Sequence, residues 1–119
     1  MNTIVHFELP AGDADRAKGF WGGLFGWKFQ GWEGAEYYML QDAEPGGAIY
    51  PSEEAGTGPL VYFGSEDIEA GIAKVRDLGG TADDKHPIPT IGWYSHCKDT
   101  EGNKFGLFQS DESVPAPTG

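Results

Sequence analysis

Apolar positions along the chain change period from two to between three and four and back again, and the second half repeats what the first half does. Residues 3–9 alternate, are rich in β-branched and aromatic side chains, and stop at Pro10 and Gly12, which is the pattern of a strand. After Asp13, a favoured N-cap type, Ala14, Ala17, Trp21, Leu24 and Phe25 recur at helical spacing, and Gly26 stands where a left-handed C-cap belongs. The pattern predicts a helix of about three turns, with Trp21 and Phe25 packed as core on the back of a sheet. Short strands over 27–32, 36–41 and 47–50 follow, divided by Gly31, Gly34 and the Pro45-Gly46-Gly47 group.

The polar, glycine-rich stretch 52–59 reads as a linker, and after it the order begins again. Residues 60–64 form an apolar run. Ser65 is an N-cap type with Glu66 and Asp67 behind it, and Ile68, Ile72, Val75 and Leu78 mark a helical face ending at Gly79-Gly80. Strands over 81–84, 92–98 and 104–109 are separated by the turns HPIPT and DTEGN. The expected architecture is α+β: one domain over 1–110 made of two βαβββ modules, 3–52 and 58–110, and a mobile tail over 111–119. Two such sheets, each with a helix on its back, would curl their other faces around one cleft.

Composition narrows the function classes. Eight Lys and Arg against nineteen Asp and Glu give a net charge of −11, the wrong sign for a surface that holds phosphate backbones or anionic lipid, so neither nucleic acid nor membrane is expected as partner. No apolar run reaches the roughly 20 residues of a spanning helix, and the first ten residues lack the marks of a signal peptide, which leads to the expectation of a cytoplasmic protein. Cys97 is the only cysteine, so a disulfide or a thiolate metal site within one chain is excluded. Arg16, Lys18, Lys28, Lys74 and Arg76 lie on or beside the two helices, and the acidic pairs Glu53-Glu54, Asp83-Asp84 and Asp111-Glu112 read as solvated surface. A negative field of this size favours neutral or cationic ligands over anions.

The segments VHFELPAGDADRAKGFWGGLFGWKF, PLVYFGSEDIEAGIAKVRDLGGT and IGWYSHCKDTEGNKFGLFQ together resemble the vicinal oxygen chelate superfamily, the glyoxalase, bleomycin-resistance and extradiol-dioxygenase group, and within it the small single-domain proteins related to lactoylglutathione lyase. The resemblance spans about residues 3–109 and implies a curled mixed sheet around one cleft. It also implies four metal-ligand positions. His6 matches the first. The second, normally His, falls at Leu60, the last, normally Glu, at Gly106, and the fourth lies near residues 47–49, where there is no carboxylate. A divalent ion needs several converging donors, so His6 alone leaves the cofactor as none or an incompletely held divalent metal.

Two residues apart on one strand, His6 and Glu8 project from the same face and form a candidate catalytic pair, for proton transfer or for a rearranged metal site. On the family alignment Leu60, Tyr62, Gly106 and Phe108 line the cleft, making it apolar and roomy, with Trp93 as a further aromatic contact. Alternation puts Trp93 and Ser95 on one face of their strand and Tyr94 and His96 on the other, without saying which is inside. His86, in the HPIPT turn, is given no role. The functional expectation is a protein that binds a small, aromatic or neutral organic molecule without the complete metal site. The alternative is a glyoxalase-type lyase or isomerase using His6 and Glu8. Exposed edge strands add the expectation of a homodimer.

Overall fold

The computed structural model describes residues 2–32 and 34–116. Among these described residues are two helices and nine strands in the order β1(Ile4–Ala11), α1(Ala14–Phe25), β2(Phe29–Trp32), β3(Ala35–Leu40), β4(Gly46–Pro51), β5(Leu60–Gly64), α2(Ile68–Asp77), β6(Thr81–Ala82), β7(His86–Ile88), β8(Gly92–Lys98) and β9(Lys104–Ser110). The α+β class is thus the observed one. Contacts divide the chain into two units, His6–Leu60 and the residues from Val61 onward together with the chain start up to Val5.

In the 6–60 unit the strands lie in the order β2-β3-β4-β1, with β4 parallel to β1 and antiparallel to β3. The parallel pair aligns His6 with Gly46, Glu8 with Ala48 and Pro10 with Tyr50. Helix α1 starts where Asp13 accepts a hydrogen bond from the Arg16 N–H and ends at Gly26, whose φ of 72° is the left-handed C-cap that a side chain would disfavour. The helix covers the face that carries Phe7, Leu9, Ile49 and Tyr38: the Lys18 ammonium sits 3.7 Å from the Tyr38 ring centroid, and Trp27, just past the helix, meets Phe7. One expectation fails here. Phe25 is 57% exposed rather than core, because Trp21 stacks on Trp27 at 5.4 Å and Phe25 closes that stack from outside.

In the 61–116 unit the order is β5-β9-β8-β6, β5 parallel to β9, with β7 also paired to β8. The start of the chain adds to this unit, since the Gly64 N–H donates to the Thr3 carbonyl at 2.9 Å. Ile68 and Ile72 of α2 pack on Leu107 and Cys97, with Phe63, Val75, Trp93 and Phe105 around them. Three local expectations are corrected. The α2 N-cap is Asp67, which accepts from the Ala70 N–H, whereas the Ser65 N–H is spent on the Phe108 carbonyl. The HPIPT segment contains the short strand β7; Pro87 keeps His86 extended and costs no ladder bond at an edge. The tail expected from 111 begins with an anchored turn: Asp111 accepts from the Trp93 indole N–H at 3.1 Å, and Val114, 4% exposed, accepts from the Thr90 N–H. Residues 117–119 of that tail lie outside the described residues.

Candidate functional site

The face of the 6–60 unit away from α1 is built from alternate residues of three strands: His6 and Glu8 of β1, Ala48 and Tyr50 of β4, Tyr37 and Met39 of β3. Period-two geometry makes His6 and Glu8 neighbours, as their spacing predicts, with His6 Nε2 4.0 Å from Glu8 Oε2. The structure inserts a third group between them. The Tyr37 hydroxyl lies 2.7 Å from His6 Nε2 and donates to Glu8 Oε2, also at 2.7 Å. Side-chain exposures of 23% for His6 and 15% for Glu8 leave the pair half-buried. Burial lowers the His6 pKa below the ordinary imidazole value, and the Glu8 carboxylate opposes this with a smaller upward pull. His6 is therefore held uncharged near neutrality.

Aromatic rings surround this polar cluster. Tyr37 is 6.3 Å from the Tyr50 ring and meets Trp32 edge-on at 6.1 Å, and Trp32 is 39% exposed. Trp32 also borders an open groove of about 410 Å³ on the β2–β3 hairpin, shared with Gln30, Met39 and Gln41. Strands β1–β4 place no Lys or Arg on this face among the described residues, since Arg16, Lys18 and Lys28 lie in α1 or just after it. Tyr37 was not singled out by sequence reasoning. Alternation could have paired it with Met39, yet nothing local distinguishes it from Tyr38, which points the other way.

In the 61–116 unit, Tyr62, Gly106 and Phe108 share the face away from α2, joined by Tyr94 and His96. Tyr62 pairs with Gly106 across the parallel ladder and its ring covers that glycine so closely that a Cβ there would clash with Tyr62 Cδ2. Its hydroxyl is 3.0 Å from His96 Nε2. The rings of His96, Tyr94 and His86 continue in a row at 5.3 and 5.1 Å. Trp93 does not belong to this face. It packs on the α2 side with Leu107 and Cys97, its indole bonded to Asp111, because it has the parity of the buried Ser95. Leu60 opens β5, half-buried.

A family model described as bleomycin resistance protein-like N-terminal matches residues 3–41. A glyoxylase-like domain-containing protein of Didymella fabae is 31% identical over 116 residues, covering 87% of this chain and 91% of its own length. The chain belongs to the glyoxalase-like family of the vicinal oxygen chelate superfamily. The same fold occurs in a glyoxalase/bleomycin resistance protein/dioxygenase superfamily member from Vibrio splendidus, with a TM-score of 0.71 at 14% identity over 92% of this chain and 100% of that one. It occurs again in a Streptomyces coelicolor methylmalonyl-CoA epimerase variant in complex with 2-nitronate-propionyl-CoA, with a TM-score of 0.64 at 20% identity over 98% and 99% of the two chains.

For this glyoxalase-like chain the donor set decides whether the superfamily's metal site can form. Leu60 has no donor atom, and the Tyr62 ring fills the space beside Gly106 where a carboxylate side chain would have to start. Among the described residues no group of three or more His, Cys, Asp and Glu side chains is placed to hold a metal. No helix among the described residues is long and apolar enough to cross a membrane.

Proposed function

We propose that this glyoxalase-like protein binds a small organic molecule with a planar, neutral or cationic part, without the superfamily's metal site. The observation that carries the reading is the face around His6, Tyr37 and Glu8. There a half-buried carboxylate and an uncharged imidazole sit among Trp32, Tyr37 and Tyr50, next to an open groove and with no Lys or Arg on the same strands' surface. Aromatic walls with a few convergent polar groups are what a pocket for a flat organic ligand uses. A cationic ring gains further from Glu8 and from ring faces. The test is calorimetric titration of chelator-treated protein with proflavine, a planar cation, and with anilinonaphthalene sulfonate, an anion. Binding of the cation alone, weakened about tenfold in Trp32→Ala and in Glu8→Gln, is the expected result; equal binding of both dyes, or indifference to both substitutions, overturns it.

A second reading is a glyoxalase-type lyase or isomerase with a rearranged site. What favours it is the downward shift of the His6 pKa beside Glu8, which suits a proton acceptor near neutral pH. Elemental analysis of protein purified without chelator separates the two readings. A near-stoichiometric divalent ion lost in both His6→Ala and Glu8→Ala supports the enzyme, and protein that takes up no added divalent ion supports the binding reading.

A further inference from the structure

We infer that Tyr37 is the positioning residue of this face, holding the neutral His6 ring as the Nε2–H tautomer so that Nδ1 is its acceptor edge. The protons shared along three side chains fix the tautomer. A carboxylate only accepts, so the 2.7 Å bond between Tyr37 and Glu8 uses the single phenolic proton. The phenolic oxygen can then only accept in its 2.7 Å bond with His6, and the proton in that bond must be on Nε2. An uncharged imidazole has one N–H, which assigns Nδ1 the lone pair. Nδ1 points toward Gly46, the register partner of His6, where an added Cβ would stand 3.8 Å from it. His6 and Glu8 are thus two acceptors aligned by one phenol, an arrangement that recognises a hydrogen-bond donor such as a ring N–H, amine or amidine.

The ligand step rests on the proposed binding function; the tautomer does not, so it is measured on protein without ligand. Long-range proton–nitrogen correlation spectra of 15N-labelled protein distinguish the two neutral tautomers, and His86→Gln with His96→Gln leaves His6 as the remaining imidazole. A single Nε2–H form is expected at pH above the His6 titration. Tyr37→Phe, which keeps the ring but loses the hydroxyl, is expected to give a tautomer mixture. Glu8→Leu removes the acceptor, releases the phenolic proton toward His6 Nε2, and is expected to move the ring to the Nδ1–H form, a change that loss of packing alone would not produce. An Nδ1–H ring in the parent protein, or one unmoved by both substitutions in variants with native amide spectra, overturns the inference. Failure of proflavine to bind would count against the proposed function and leave this assignment standing.

Discussion

At Gly106 the main chain of β9 runs directly beneath the Tyr62 ring, and that contact is stricter than any conformational preference of glycine. Tyr62 is 6% exposed and its hydroxyl is tied to His96, so Gly106→Ala must push the ring off its partner. The expected loss is about 1–3 kcal/mol of unfolding free energy in urea titration, the usual cost of overpacking, with part of it recovered by adding Tyr62→Ala. His6 gives a pH signature. Its folded pKa lies below the unfolded value of 6.5, so its contribution to stability is complete above 6.5 and is lost as pH falls through the folded pKa. Between pH 7.5 and 5 the parent protein is expected to lose more stability than His6→Gln; parallel curves would contradict the assignment. Cys97 is buried on the α2 side and burial raises its thiol pKa, so alkylation by iodoacetamide is expected only on unfolding.

Helix α1 was legible down to both of its ends, and α2 in its existence and position but not in its caps. Asp13 and Gly26 act as their types predict, whereas the α2 cap is Asp67, expected inside the first turn, and not Ser65. Asp67→Ala is expected to cost about 1 kcal/mol and Ser65→Ala much less, read from the same denaturation experiment. Helical spacing could not say which apolar residues of α1 find partners. Phe20, Leu24 and Phe25 remain more than half exposed while Trp21 is half-buried, so Phe20→Gln is expected to change stability by less than about 0.5 kcal/mol. Strand parity was equally legible as a pattern and equally silent about direction. It grouped Trp93 with Ser95 and Tyr94 with His96, and only the packing of α2 assigned the first pair to the core.

Charge acts at the scale of the whole chain. With a net charge of −11, of which the 6–60 unit holds nine acidic and three basic residues, a bound cation is drawn by a field that salt screens. Proflavine affinity is therefore expected to fall as sodium chloride is raised from 20 to 300 mM, and a salt-independent affinity would mean that Glu8 and the field play no part.

The α+β class, the existence of both helices and the placing of His6 beside Glu8 were readable in the sequence, because each depends on residues close together in the chain. Tertiary structure decided the rest. Tyr37 meets His6 across 31 positions of sequence only because β1 and β3 flank β4 in one register. Long-range strand pairing is set by the summed burial of whole sheet faces, so no local pattern could have named the phenol that joins the imidazole to the carboxylate.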